Sequence, residues 1–286
     1  MTQPAPGPGL SLPATVDALA LVPAYAEADR IGATVEALAK LPEIAEILVV
    51  DDGSPDGTAA AALAVGAHCL VLPANRGKGA ALNAGLAALI NRVAERVTPR
   101  PRALLLADGD LGDSAGRLGA LLAPVLDGDA DLAIADLPAQ EGAGGFGLAM
   151  GLARAGIRRK TGRTMAEPLS GQRAIRWEVL ESGVLGPFAP RFGVEVAMTV
   201  RALRAGLHVA EVEVDLRHNA SGKDLAGIRH RARQAAAIAR ELAREELTGW
   251  EKLPARARDG LRGIPARRRA PGRAPERASE GNREDT

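Results

Sequence analysis

Residues 104–113 read LLLADGDLGD, and this stretch decides which fold and which chemistry the chain can have. Its apolar first half predicts a buried strand, and two carboxylates, Asp108 and Asp110, follow with only Gly109 between them. Carboxylates at the carboxyl end of a central strand can converge on one hard cation, which keeps positions open for substrate phosphates. The stretch therefore predicts a metal site at the edge of a sheet.

Apolar runs alternate with helical spacing on both sides of this strand. The pattern predicts strands at residues 17–22, 46–50, 67–72, 103–107 and 130–135, and helices at residues 28–41, from Thr58, at 80–95 and at 114–125. Such alternation with short connections is typical of a parallel sheet that is covered on both faces. Later segments, a strand at 171–176, a helix at 194–205 and a strand at 207–214, indicate a smaller mixed C-terminal part. We predict an α/β fold with a Rossmann-like, mostly parallel central sheet and helices on both faces.

The 286-residue chain is long enough for one large domain with extensions. We expect this domain at residues 17–249, between a flexible Pro- and Gly-rich leader at 1–16 and a basic, disordered tail at 250–286. Aromatic residues make up only 2% of the chain, so little surface is available for stacking bases, and we expect no nucleic-acid partner.

The single cysteine, Cys69, excludes a disulfide framework and favours a cytoplasmic protein, with Cys69 as a small core residue. The chain starts without the pattern of a signal peptide, and it lacks the 18 or so uninterrupted apolar residues of a transmembrane helix. Any membrane contact is therefore expected to be peripheral, at the inner face of the membrane.

Four polar clusters follow predicted strands, at residues 23–27, 51–56, 75–78 and 108–113. Each cluster alone has a plain alternative: DDGS as a helix-opening turn, NRGKG as a flexible loop and DGD as a turn. Together they suit a nucleotide whose diphosphate is bridged by Mg²⁺ or Mn²⁺. Asp51 or Asp52 can accept hydrogen bonds from a base or ribose, and Lys78 or Arg76 can meet phosphate charge.

The segments VPAYAEADRI, VVDDGSPDGT, NRGKGAALNAG and LLLADGDLGD occur in this order and resemble the family 2 glycosyltransferases with the GT-A fold. The resemblance spans about residues 18–214 and is strongest to polyprenyl-phosphate sugar synthases such as dolichyl-phosphate mannose synthase. It implies metal-dependent transfer of a sugar from a UDP- or GDP-sugar to an acceptor, with a polyprenyl phosphate expected first. The alternatives are a small phosphorylated acceptor and a regulator that binds nucleotide sugars without turnover.

The resemblance also assigns roles to residues of this chain. The donor would be bound by Pro23, Ala24, Tyr25, Glu27, Asp52, Asn75, Lys78, Asp108 and Gly109. Asp110, Arg173 and Glu195 would be catalytic, and the segment PLSGQRAIRW would bring Ser170, Gly171 and Gln172 to the acceptor. Metal ligands would be Asp108, Asp110 and His218.

Two features depart from the family pattern or compete with it. Gly112 stands where related synthases often have the Gln of DxDxQ, so a third ligand must come from Asp113, from water or from elsewhere, and His218 is the candidate. Gly142, Gly144 and Gly147 match the GxGxxG of dinucleotide sites, but their distance from the preceding strand favours a mobile flap or a plain surface loop.

A basic segment, GIRHRARQ, opens a predicted helix near the end of the domain. Its Arg229 and Arg231 would bind an acceptor phosphate or an anionic bilayer. The alternative is a helix packed on the core through an apolar stripe, with its basic face in solvent; the stripe comprises Leu225, Ile228, Ala235, Ile238 and Leu242.

Overall fold

The computed structural model describes residues 15–137, 147–189, 193–216, 236 and 239–243. The strands in this part of the chain are β1 Thr15–Ala24, β2 Ile44–Asp51, β3 His68–Val71, β4 Arg100–Leu106, β5 Leu132–Asp136, β6 Arg173–Arg176 and β7 Val209–Glu213. The α-helices are α1 Ile31–Ala39, α2 Thr58–Ala64, α3 Lys78–Ala94, α4 Gly119–Leu126, α5 Gly147–Thr161, α6 Trp177–Glu181 and α7 Val194–Arg204, and a 3₁₀ helix spans Gly112–Leu118.

The seven strands form one sheet in the order β3-β2-β1-β4-β6-β5-β7. Strand β1 lies at the centre of a parallel group, between β2 and β4. Strand β6 runs antiparallel to both of its neighbours, β4 and β5, whereas β5 and β7 are parallel. The predicted α/β fold is therefore confirmed, including the mixed sheet after the fifth strand.

Alternating side chains of the central strands face two separate cores. On one face, leucines such as Leu19 and Leu104 pack with α3, α5 and α7. On the other face, small residues such as Ala18 and Ala103 pack with α1, the 3₁₀ helix and α4. Because strand side chains alternate in direction, this two-sided burial explains why the strands read as continuous apolar runs.

The structure differs from the sequence prediction at its edges and in two helices. Thr15 already belongs to β1, so the predicted leader is too long at its end, and its first 14 residues lie outside the described part. Residues 250–286 also lie outside it. Helices α5 and α6 were not predicted from the sequence, because glycines interrupt the pattern of the first and the second is one turn and a half long.

One glycine of α5, Gly156, is explained by packing. A Cβ at Gly156 would lie 2.7 Å from Cδ2 of Leu242, which is buried in the core against this helix. Gly147, the last glycine of the GxGxxG match, is the first residue of α5, while Gly142 and Gly144 lie outside the described residues. Leu242 is the one member of the predicted apolar stripe within the described part. In that part, no helix is both long and apolar enough to cross a membrane.

Helix α3 approaches the sheet closely at Gly85, where a Cβ would lie 2.7 Å from Cγ2 of Val50 and would also collide with Leu21. We predict that Gly85→Ala lowers the free energy of unfolding by about 1 kcal/mol, because overpacking outweighs the gain in helix propensity. Gly151→Ala in α5 is the matched control, since nothing lies within 4 Å of a Cβ there. That variant should be neutral or more stable in urea unfolding. Equal stability of the two variants would contradict the close approach.

Candidate active site

The loops after β1 and β2 are tied together at the carboxyl edge of the sheet. The carboxylate of Asp51 accepts a hydrogen bond from the backbone N–H of Ser54 (2.8 Å), and the Ser54 hydroxyl accepts one from the N–H of Ala26 (3.0 Å). The Thr58 hydroxyl, at the start of α2, accepts the N–H of Glu27 (2.9 Å). These bonds join the two loops into one wall.

Asp52 fixes the next loop along the sheet. Its two carboxylate oxygens accept the backbone N–H groups of Arg76 (2.9 Å) and Gly77 (2.6 Å), just before α3. The neighbouring Gly53 has φ +71° and lies so close to Ala74 that a Cβ would be 2.6 Å from its carbonyl carbon. The buried Asp52 therefore holds three loops in register at the edge where β1, β2 and β3 end.

A half-buried group of three charges, Lys78 with two carboxylates, lies at the centre of this edge and is called the ion pair below. The ammonium Nζ of Lys78, the first residue of α3, lies 2.6 Å from Oδ1 of Asp108 and 3.0 Å from Oε1 of Glu195 in the first turn of α7. Burial alone lowers the pKa of the Lys78 ammonium, but the two carboxylates more than offset it and raise that pKa above its usual range. Lys78 is therefore a fixed positive charge at neutral pH.

The segment before β6 closes over this pair. The side-chain oxygen of Gln172 accepts the backbone N–H of Asp108 (2.9 Å), and its Nε2 donates to Oδ2 of the same residue (2.7 Å). A Cβ at Gly171 would lie 2.9 Å from that Oδ2 and would collide with the Lys78 ammonium. Only glycine lets the backbone pass this close, so the family-type SGQR segment is packed directly onto the ion pair.

The two aspartates of the acidic turn have different surroundings. Both oxygens of Asp108 are engaged, by Lys78 and by Gln172. Asp110 is half-buried, and no hydrogen bond or ion pair from another described residue reaches its carboxylate. Its charge adds to burial in raising the pKa of the nearby Glu27 carboxyl, which Arg30 lowers in part.

A divalent cation fits beside Asp110 on these grounds, because an ionised carboxylate with no internal donor is a ready ligand. No cluster of three or more His, Cys, Asp or Glu side chains that could hold a metal occurs among the described residues. The remaining ligands would therefore come from phosphate oxygens, from water or from the rest of the chain. His218, the predicted third ligand, lies outside the described part.

Arg173 is buried beneath the loop that carries Ser170, and its guanidinium bonds other protein groups. Its guanidinium is buried and donates to the carbonyl oxygens of Ser170 (2.9 Å) and Pro168 (3.0 Å) and to the Thr199 hydroxyl (3.0 Å). Burial lowers its pKa to about 10, and the charge of Glu195 opposes that shift. In this geometry Arg173 supports the loop that carries Ser170, and its predicted catalytic role stays a prediction.

Two further residues hold the same loop and gave no signal in the sequence. Oε1 of Glu211 on β7 accepts the backbone N–H groups of Ala166 (2.7 Å) and Glu167 (2.8 Å). Nε of Arg154 on α5 donates to the Ala166 carbonyl (2.9 Å). Glu211 could not be recognised in VAEVEV because it has the spacing of a solvent-facing strand residue. Arg154 lies in α5, a helix that was not predicted because glycines interrupt its pattern.

Most of the predicted residues do converge on one edge of the sheet. Gly109 packs against the first loop, where a Cβ would lie 3.2 Å from Cβ of Ala24 and 3.5 Å from the Pro23 oxygen. Tyr25 and Asn75 are exposed on the rim. Their predicted roles, and those of Ser170, Gly171, Gln172 and Glu195, stay predictions. Arg229 and Arg231 lie outside the described residues.

Comparison with known proteins identifies relatives of this architecture. The model of the family described as glycosyl transferase family 2 matches residues 20–180. Among solved structures, the chain resembles glucosyl-3-phosphoglycerate synthase from Mycobacterium tuberculosis in complex with Mn²⁺, UDP and glucosyl-3-phosphoglycerate (26% identity, TM-score 0.64, 80% of each chain covered).

Two other complexes of that synthase match similarly. One holds Mn²⁺, UDP and phosphoglyceric acid (26% identity, TM-score 0.64, 79% of this chain and 78% of that chain covered). The other holds Mg²⁺ and UDP (25% identity, TM-score 0.64, 80% of each chain covered). No curated protein matches the chain.

The ion pair generates a stability prediction. Lys78→Met removes the positive charge between the carboxylates of Asp108 and Glu195. We expect it to lower the free energy of unfolding by about 2 kcal/mol, a moderate loss because the pair is partly solvent-exposed. Glu195→Gln in the Lys78→Met background removes one unpaired charge and should restore about 1 kcal/mol of that loss. Lys40→Met, at an exposed lysine after α1, is the control. Urea unfolding of five proteins measures the coupling: the unmodified protein, Lys78→Met, Glu195→Gln, the double variant and Lys40→Met. Strictly additive losses would contradict the pairing.

Proposed function

The chain belongs to glycosyl transferase family 2, and we propose that it transfers a sugar from a UDP-sugar, with Mg²⁺ or Mn²⁺ bound, to a small phosphorylated acceptor. Family membership makes it a glycosyltransferase that uses a nucleotide-sugar donor. The choice of UDP, of the cation and of the acceptor class is our proposal, and it rests on the site described above and on the similar structures.

One observation carries the choice of acceptor. The similar synthase structures contain phosphoglyceric acid or its glucosylated product together with UDP. Phosphoglyceric acid is a small phosphorylated acceptor, which agrees with the alternative that the sequence left open. The polyprenyl phosphate, expected first from the sequence, has no comparable support among these structures.

The donor half of the proposed site is the wall formed by the first two loops and the loop before α3. Its exposed Tyr25 and its buried Asp52 lie on neighbouring loops, which suits a nucleoside lying along this wall. Asp52 already accepts two backbone N–H groups, and each carboxylate oxygen has a second lone pair for a donor on the base or ribose. Its burial keeps that acceptor fixed in place.

The diphosphate half is proposed to lie at the acidic turn. Asp110 would hold the cation, with Asp108 directing the turn from behind through its bonds to Lys78 and Gln172. When bound, the cation neutralises charge that develops on the leaving diphosphate. The positive charge of Lys78 lies at the same edge and lowers the electrostatic cost of bringing two phosphates next to carboxylates.

The transfer itself breaks the bond between the anomeric carbon and the diphosphate oxygen, and the electron pair of that bond leaves with UDP. The acceptor oxygen forms the new bond to the same carbon and gives up its proton. The loop from Ala166 to Gly171 is the proposed acceptor wall, because it ends against the ion pair and is held by Arg154, Glu211 and Arg173. Such prior fixation reduces the entropy cost of aligning two substrates.

The proposal is tested with the purified protein, UDP-glucose, Mn²⁺ and 3-phosphoglyceric acid. We expect release of UDP and a product heavier than the acceptor by one hexose, both followed by mass spectrometry. Asp110→Asn should lower the rate by about 100-fold or more at saturating metal, since it removes the ionised ligand. Glu36→Gln, the same change from carboxylate to amide at an exposed position of α1, is the control and should retain activity.

A parallel reaction replaces 3-phosphoglyceric acid with a polyprenyl phosphate and labelled donor. Label in the organic phase, with none on the small acceptor, would overturn the proposed acceptor class. Binding of UDP-sugars without release of UDP under any of these conditions would instead indicate a regulator without turnover.

A further inference from the structure

Thr34 is a polar residue in the middle of an apolar helix face. It lies on α1 between Ile31, Val35 and Leu38, all of which are buried in the core against the sheet, and Thr34 itself is fully buried. A buried hydroxyl destabilises a fold unless it is hydrogen-bonded, so its partners indicate why a threonine stands here.

Its partners are two backbone groups of the acidic turn. The Thr34 hydroxyl donates to the carbonyl oxygen of Gly109 (2.9 Å) and accepts the N–H of Gly112 (2.8 Å). These two groups flank Asp110 in the chain, one residue before it and two residues after it. The hydroxyl thus spans the turn that carries Asp110 and fastens it to α1.

The turn is also held before Asp110, by the bonds of Asp108 to Gln172, and it is less constrained after Asp110. Gly112 leaves it with φ +53°, a conformation that glycine adopts without strain, and space is open where its Cβ would be. The Asp110 carboxylate receives no hydrogen bond from another described residue. The direction of this carboxylate is therefore set by the backbone on either side of it, and that backbone is bonded to Thr34.

The same helix is anchored at the nucleoside side of the site. Just before α1, the backbone N–H of Glu27 donates to the Thr58 hydroxyl (2.9 Å), and the Glu27 carboxylate pairs with Arg30 (2.7 Å). The carbonyl oxygen of Arg30 lies 3.2 Å from the Thr34 hydroxyl. Thr34 is thus the point where the first loop and the acidic turn meet in the interior. A small change there would shift one relative to the other.

We propose that Thr34 is a positioning residue that sets the direction of Asp110 for a cation bridged to a nucleoside diphosphate. This inference rests on the proposed function, because it concerns the same cation. Thr34 touches neither substrate nor metal, and it acts through two backbone hydrogen bonds. Residues of this kind typically change metal affinity by about 10- to 100-fold when they are replaced.

The test measures binding of Mn²⁺ to the UDP-saturated protein by calorimetry and by the electron paramagnetic resonance signal of free Mn²⁺. Thr34→Val keeps the shape and removes both bonds, and it should weaken Mn²⁺ binding about 10-fold. Thr34→Ser keeps the hydroxyl and should stay within about 3-fold of the unmodified protein. Wild-type affinity in a folded Thr34→Val protein would overturn the proposal.

Thr98→Val is the matched control. Thr98 is also buried, donates to Glu46 (2.8 Å) and accepts from Arg92 (3.1 Å), but it precedes β4 at the opposite edge of the sheet. Its loss should lower stability without a change in Mn²⁺ affinity. Equal weakening by Thr98→Val would mean that general destabilisation, rather than Thr34, controls the site.

Thr34→Ala covers the case in which the valine variant does not fold, because the smaller side chain leaves room for water to satisfy the two backbone groups. It should still weaken Mn²⁺ binding by at least about 3-fold, since water holds the turn less rigidly. Wild-type Mn²⁺ affinity in this variant would also overturn the proposal. Absence of Mn²⁺ binding by the unmodified protein with UDP would count against the proposed function itself.

Discussion

The ammonium of Lys78 between the carboxylates of Asp108 and Glu195 is the interaction on which the edge of the sheet depends. It joins the start of α3, the end of β4 and the first turn of α7. The positive charge of Lys78 offsets the repulsion between these two partly buried carboxylates. The close passage of Gly171 over the pair then brings the segment before β6 to the same place.

Because of this ion pair, the two aspartates of LLLADGDLGD have different roles. The carboxylate of Asp108 is bound by Lys78 and Gln172, so its negative charge is balanced within the protein. The Asp110 carboxylate has no such partner among the described residues, and its turn is held by Thr34 on α1. At this edge one carboxylate, Asp108, is balanced by Lys78, and the other, Asp110, is available to a ligand. Such an arrangement suits a nucleoside diphosphate with a bound metal ion, because the metal ion can bind both the carboxylate and the phosphates.

The sequence predicted the sheet and most of the strand-end residues because both depend on local patterns. Apolar runs such as LLLADGD mark buried strands, and parallel strands bring their carboxyl ends to one edge. Long-range contacts left no such pattern. The bonds of Thr34 to the acidic turn, of Glu211 to residues 166–167 and of Arg173 to the Thr199 hydroxyl join segments that are distant in the chain. Helix α5 was not predicted because a sequence pattern treats glycine as a helix breaker, whereas Gly156 in this helix gives room for the side chain of Leu242.

The central claim is that one sheet edge holds the cation and the nucleotide, with Asp110 as the metal ligand. Anomalous diffraction at the manganese edge, from crystals grown with Mn²⁺ and UDP, tests it most directly. The account predicts one strong anomalous peak within coordination distance of the Asp110 carboxylate and of the UDP phosphates, with Lys78 still between Asp108 and Glu195. A manganese peak bound elsewhere while UDP occupies this edge, or UDP bound away from the acidic turn, would contradict it.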